Sequence, residues 1–322
     1  MTAMNNAIET PTLQDVRTAA ARIAGRAHRT PVMTSRSLDD IAGCSLFFKC
    51  ENLQRGGAFK YRGACNAITS LSDAESAKGV VTQSSGNHGA AVALACRERG
   101  IDCTVVVPSN APKIKLAAIH DFGARVVHFE TSQADRNRVT TQVLEQTGGT
   151  LVHPFNDVRV IAGQGTAMLE LFEEVGHLDS VITPVSGGGL LSGTCIVAKG
   201  LDPAMEILGA EPEGARDAHD SLVADERITG RPTDTLCDGL RAELGSLTFP
   251  ILRAHVDSIL LATDAQTVAA MRLIWERLKM VVEPSGAIVL AGILANRSRF
   301  IGRRVGLIVS GGNVDLERLP WC

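Results

Sequence analysis

The chain has 322 residues, a formal net charge of −3, 32 basic against 35 acidic side chains and eight cysteines. That length is more than one compact core usually holds, so two lobes with a ligand-sized cleft between them are expected. The interspersed charges exclude both the basic footprint of a nucleic-acid binder and a membrane-attracting patch, which leaves small molecules as partners. In chain order, Thr12 and Asp15 mark a helix start, and Leu13, Val16, Ala20 and Ile23 recur at helical spacing up to Gly25. Thr30-Pro31 breaks the pattern, and residues 45–49 read as a short strand.

Next comes Gly56-Gly57-Ala58-Phe59-Lys60-Tyr61-Arg62-Gly63-Ala64, which sets a lysine between a glycine pair and a helix start. Most lysines are solvated surface charges. One flanked by Phe59, Ala58 and Gly63 can lose hydration, and this lowers its pKa and frees the neutral amine for Schiff-base chemistry. From residue 80 the pattern alternates: strand 80–83, helix 87–99, strand 104–107, helix 112–122, strand 125–129, helix 135–146, strand 150–153. Alternation of this kind implies a parallel sheet with helices on both faces. Residues 181–185, 206–210, 258–261 and 305–309 add strands, with helices near 162–175, 190–199, 264–279 and 285–295. Residues 213–250 form the longest irregular stretch, a length that points to a functional segment.

Two further strand ends carry chemistry. Ser84-Ser85-Gly86-Asn87-His88-Gly89 joins strand 80–83 to a helix, and helix starts at strand ends present unpaired N–H groups to ligands. A simple capping turn with Ser85 or Asn87 is the ordinary alternative. Pro184-Val185-Ser186-Gly187-Gly188-Gly189-Leu190 repeats the strand, glycine loop and helix order, and its consecutive amides make an anion cradle. A dinucleotide-dependent oxidoreductase is the alternative from another class, because the next strand ends in Glu211. However, GxGxxG fails in every register: from Gly187 its last position is Ser192, and from Gly188 its second glycine is Leu190. Val309-Ser310-Gly311-Gly312-Asn313 is a fourth strand end, by itself an ordinary turn, whose serine could face the same crevice. The cysteines (44, 50, 65, 96, 103, 195, 237 and 322) form no CxxC pair and read as reduced thiols, hence a cytoplasmic protein. No apolar run is long enough to span a bilayer, and residues 1–11 are polar, carrying Glu9 where a signal peptide would be apolar.

FKYRGA, SSGNHG, SGGGL, GAEP and SGGNVD follow one another from Phe59 to Asp315. With them the chain resembles, over nearly its whole length, the fold-type-II pyridoxal-phosphate enzymes. Within these it is most similar to the serine/threonine dehydratase and serine racemase group. Ala58 stands where the family often has serine, and Ser186 replaces the first of four glycines. The resemblance implies an α/β fold like the tryptophan synthase β subunit, with two doubly wound domains and the cofactor in the cleft. Residues 1–70 and 157–322 would form the large cofactor-binding domain, and residues 71–156 the small one.

The resemblance also assigns roles. Lys60 would hold pyridoxal 5'-phosphate as a Schiff base and then act as general base on Cα, with Ser85 as the second base on the opposite ring face. Phe59 would lie beside the ring; Ser186, Gly187, Gly188, Gly189 and Leu190 would hold the phosphate; Asn87 would bond the ring hydroxyl and Ser310 the ring nitrogen. Ser84, Ser85, Asn87 and His88 would meet the substrate. Arg136 and Arg241 could bind a second carboxylate. Glu211, Ala215 and Asp217 resemble the family's divalent-cation site, and two carboxylates plus a carbonyl suit Mg²⁺, Mn²⁺ or Ca²⁺. Asp238-Gly239-Leu240-Arg241-Ala242 resembles the racemase and 3-hydroxyaspartate dehydratase branch, and an end at Cys322 leaves no room for the regulatory domain of biosynthetic threonine dehydratases. The implied function is an ammonia-lyase acting on 3-hydroxyaspartate or serine ahead of threonine, with an amino-acid racemase as the alternative and a homodimer as the assembly.

Overall fold

The computed structural model describes residues 10–321 except 112 and 131. The polar stretch 1–9, the expected helix start at residue 112 and Cys322 lie outside the described residues. Among the described residues ten strands divide between two sheets: β1 (Val32–Met33), β2 (Ser45–Cys50), β3 (Val80–Gln83), β4 (Cys103–Pro108), β5 (Arg125–Phe129), β6 (Thr150–Leu151), β7 (Ser180–Pro184), β8 (Glu206–Pro212), β9 (Ser258–Ala262) and β10 (Arg304–Val309). A four-stranded sheet runs β5-β4-β3-β6, entirely parallel. A six-stranded sheet runs β1-β2-β10-β7-β8-β9, parallel except for the antiparallel pair β1 and β2. Parallel strands covered on both faces must be apolar throughout, and Val105, Val106 and Val107 on β4 are fully buried accordingly.

The topology explains where a site can form. β10 lies between β2 and β7, pairing Val309 with Cys50 and Leu307 with Ile182. The carboxyl ends of these neighbours therefore open on one edge, and from them emerge the lysine segment, Ser310 and the glycine loop. Ligands in open α/β sheets bind at such an edge, because chains leaving adjacent strands diverge there.

Most anticipated elements are present, with instructive differences. The helix expected near 162 begins at Val158, where Asp157 caps it by accepting from Arg159 N. Its β-branched start, Val158, Val160 and Ile161, resembles strand sequence. The irregular stretch 213–250 contains a helix at Asp217–Ala224, and another begins inside it, Thr248–His255. The antiparallel edge strand β1 and the short helix Arg36–Ala42 were not expected. Among the described residues no helix is long and apolar enough to cross a membrane.

The helix Lys60–Thr69 is held by charges buried beneath it. Arg62 is fully buried, and it donates to both oxygens of Glu51 at 2.7 and 2.8 Å and to both oxygens of Glu170 at 2.7 Å. Lys49, also fully buried, donates to Glu170 and to the Thr30 carbonyl, each at 2.6 Å. Two cations thus meet two carboxylates. Deleting one partner would strand a buried charge at a cost of about 3–5 kcal/mol.

Candidate active site

The segments carrying Lys60 and Ser310 run against each other. Ala58 pairs with Gly311 in an isolated antiparallel bridge. Phe59 N donates to Ser310 O and Gly312 N to Gly57 O, both at 2.9 Å. Lys60 opens its helix, with Nζ donating to Pro154 O at 3.0 Å and standing 5.0 Å from the Phe59 ring centroid. Burial pushes its pKa down to about 8. At pH 7 roughly a tenth of such amines are neutral, against about four in ten thousand for an ordinary lysine. The residue as a whole is half-buried, so it is the amine end that loses hydration.

The glycine loop leaves β7 and enters the helix Gly189–Leu201. Gly188 is the N-cap at φ +88°, a left-handed conformation that favours glycine, and no side chain caps the helix. Its first-turn amides consequently point outward at the positive end of the helix dipole. A Cβ at Gly187 would run into the Phe155 ring, and one at Gly188 would come within 2.9 Å of Thr248. Tight walls and free amides make this a cradle for a phosphate. The Ser186 hydroxyl accepts from Ala242 N at 3.1 Å and lies 3.2 Å from Ala242 O, so the loop residues 242 onward engage it from behind.

The helix Asn87–Arg99 takes Gly86 as N-cap, again with no side-chain cap, so neither Ser85 nor Asn87 acts as one. Asn87 Nδ2 reaches both oxygens of Glu283, at 3.1 and 3.3 Å, and Asn87 Oδ1 accepts from Asn313 Nδ2 at 3.0 Å. Ser84 Oγ accepts from Gly86 N at 3.3 Å, and Ser85 is half-buried in the same turn. Ser310 is buried, with Oγ 3.5 Å from Ser285 O. His88 is buried with Nε2 3.2 Å from Val152 O, which makes that nitrogen the donor and leaves Nδ1 without a partner. Burial, with Lys60 nearby, holds this imidazole neutral, its pKa well below the usual histidine value.

Arg136 and Arg241, equal candidates by sequence, differ in the structure. Arg136 on the helix Gln133–Thr147 is half-buried, and its Nε is buried with no hydrogen-bond partner. His153 is pushed down to about 4 by burial and then by Arg136 and Lys60, so its imidazole lies within electrostatic reach of both cations. Arg241 is exposed and donates to Thr235 O at 2.5 Å, so the structure does not show the two arginines acting together.

At the end of β8, Glu211 is fully buried and accepts from Ala218 N at 3.1 Å and His219 N at 2.8 Å, capping the helix Asp217–Ala224. Asp217 accepts from Leu244 N at 3.0 Å. Burial and then Asp217 raise Glu211 well above its ordinary value, and burial pushes Asp217 up to about 6. Among the described residues no cluster of three or more His, Cys, Asp or Glu side chains could hold a metal. Glu211 and Asp217 are thus close enough for one carboxylate to raise the other, while Arg231 acts on Asp217 in the opposite sense.

Sequence reasoning missed Glu283, Asn313, His153, Phe155 and Thr248. Of these, Asn313 stood in the fourth strand-end motif without a role, and Glu283, set just before Pro284 at a helix start, also carried a local signal.

Lys60, the glycine loop and the buried Ser310 thus stand at the ends of neighbouring strands of one sheet. Comparison with known proteins supplies the class. The chain belongs to the pyridoxal-phosphate dependent enzyme family, whose model matches residues 23–311, and its cofactor is pyridoxal phosphate. It is 49% identical over 315 residues to a serine racemase of Dictyostelium discoideum, covering 96% of this chain and 97% of that one. It is 48% identical over 311 residues to a beta-hydroxyaspartate dehydratase of Paracoccus denitrificans, covering 97% and 99%. Among solved structures, maize serine racemase superposes with a TM-score of 0.94 at 47% identity, covering 96% of this chain and 95% of that one.

Proposed function

We propose that the protein is an ammonia-lyase that converts a 3-hydroxy-amino acid, 3-hydroxyaspartate ahead of serine and threonine, to a 2-oxo acid and ammonia. The observation that carries the substrate choice is Arg136, a half-buried guanidinium with an unpartnered Nε near His153. A desolvated donor left open in this way suits a second carboxylate. Pyridoxal phosphate, when bound, supplies the electron sink that labilises Cα–H. The protein does the rest. Gly187, Gly188, Gly189 and Leu190 would offer amides to the phosphate, Phe59 would lie beside the ring, and Asn87, held by Glu283 and Asn313, would bond the ring hydroxyl. Lys60 Nζ takes the Cα proton. Ser310 would meet the ring nitrogen with a neutral hydroxyl, which would not hold that nitrogen protonated as a carboxylate would. This favours elimination, in which the departing hydroxyl carries the electrons away. The released enamine tautomerises and hydrolyses.

Replacing Arg136 with glutamine is expected to lower kcat/KM for 3-hydroxyaspartate roughly 10- to 100-fold, the range of one lost charge-assisted contact. Serine turnover should change by less than about threefold. Keto-acid release from both substrates reads this directly, and equal losses would overturn the dicarboxylate reading.

A second reading, amino-acid racemisation, is favoured by Ser85 in the turn after β3 and by the relatives named serine racemases. Chiral analysis beside keto-acid release separates the two.

The Glu211, Ala215 and Asp217 corner is proposed to take Mg²⁺, Mn²⁺ or Ca²⁺ as a structural ion. Chelation should lower both melting temperature and activity, and divalent cations should restore them, because an ion bound only to the folded state stabilises it by mass action. Indifference to chelator would remove the site. We also assign residues 1–70 with 157–322 and residues 71–156 to separate domains, on the strength of the two sheets. A cytoplasmic homodimer completes the proposal; the buried free thiols support the compartment alone, and fractionation and sedimentation read the two parts.

A further inference from the structure

The Gly187-Gly188 peptide at the mouth of the cradle has no Cβ on either side to resist rotation. In a trans peptide the carbonyl and the following N–H point in opposite directions. One rotation of this unit would therefore withdraw the Gly188 N–H from an anion and put the Gly187 oxygen in its place. The structure holds the peptide in one sense. Thr248 is fully buried, and its hydroxyl donates to Gly187 O at 2.7 Å while accepting from Gly245 N at 2.9 Å. Gly245 N also approaches Gly187 O at 3.3 Å. With the carbonyl fixed toward Thr248, the Gly188 N–H is turned to the opposite side, where the cradle lies.

The hydroxyl itself is held in place. The segment 242–248 is fixed at Leu244 N by Asp217 at 3.0 Å, at Leu247 N by Asn156 Oδ1 at 2.8 Å and at Ala242 N by Ser186 Oγ at 3.1 Å. We propose that Thr248 is a positioning residue for the cofactor phosphate, acting through the Gly187 carbonyl to keep the cradle amide turned toward its anion. Thr248 belongs to the stretch that the sequence marked only as irregular, and it acts without touching cofactor or substrate.

The inference rests on the cradle being the phosphate site, so the experiment compares pyridoxal phosphate with pyridoxal, which lacks the phosphate. Dissociation constants for both are measured by spectrophotometric titration of the apo protein in wild type, Thr248→Val and Thr248→Ser. Valine keeps the volume and removes the hydroxyl. It should lower the preference for the phosphorylated form about tenfold or more, leave pyridoxal affinity within about twofold, and be rescued by serine. Thr248→Cys, with a weak donor, is made alongside so that a folding failure of the valine variant leaves the measurement intact. Equal weakening of both ligands, or no rescue by serine, would overturn the positioning role and make Thr248 a packing residue. A wild type with no preference for the phosphorylated form would instead overturn the cradle reading, and with it the inference.

Discussion

Replacing Lys60 with alanine is expected to reduce turnover at least about 10⁴-fold, because it removes covalent attachment of the cofactor and the base that takes the Cα proton together. The cradle at Gly187 to Leu190 is remote in sequence and untouched by the change, so pyridoxal phosphate should still bind noncovalently. Borohydride followed by peptide mass spectrometry should fix a pyridoxyl group on Lys60 in the wild type and on no lysine in the variant. Wild-type-like activity in Lys60→Ala would refute the assignment. A pH dependence follows as well. In the apo protein burial sets Lys60 at about 8, below the value near 10.4 expected for an unfolded lysine. Between these values the unfolded chain binds more protons, so this residue's contribution to stability rises with pH across that window and its penalty is complete below about pH 8. The melting-temperature advantage of Lys60→Met over wild-type apo protein should accordingly shrink from pH 8 to pH 10.

Ser85→Ala should abolish racemisation and the processing of any enantiomer whose Cα proton lies on the Ser85 face, while sparing part of the elimination from the other enantiomer. Racemisation needs a proton donor or acceptor on each face of the bound amino acid, whereas elimination needs proton removal on one face and help for the departing hydroxyl. A serine hydroxyl is a poor base unless the cofactor phosphate or another group would accept its proton. Ser85→Gly should behave like the alanine variant, since both lack the hydroxyl. Keto-acid release and Cα–hydrogen exchange in heavy water, measured for each enantiomer, decide the matter. Losses of equal size for both enantiomers would show that Ser85 orients substrate and has no face of its own.

The parts of the molecule legible in the sequence are those governed by local pattern. The buried parallel strands announce themselves as apolar β-branched runs, and Lys60, the Ser84 turn and the glycine loop follow from strand-end chemistry. The helix Asp217–Ala224 was illegible because its first-turn amides are capped by Glu211, a carboxylate arriving from the end of β8. The partners of Asn87 were illegible for a related reason: Glu283 and Asn313 lie 196 and 226 residues away in sequence. Arg136 and Arg241 looked equivalent as residue types. Only the packed surroundings leave one guanidinium with an open nitrogen while the other turns to a backbone carbonyl.

The charge quartet under the lysine helix, three members buried and Glu170 partly so, bears on how this scaffold can change. Arg62, Lys49, Glu51 and Glu170 balance only as a set. A mutational route that alters them one at a time passes through a species with a stranded charge, at a cost comparable to a large share of a typical domain's stability. Opposite-sign partners replaced together by apolar residues of similar volume avoid that intermediate. Libraries that randomise positions around Lys60 to seek new substrates therefore retain more folded members if these four residues are held constant or exchanged in pairs.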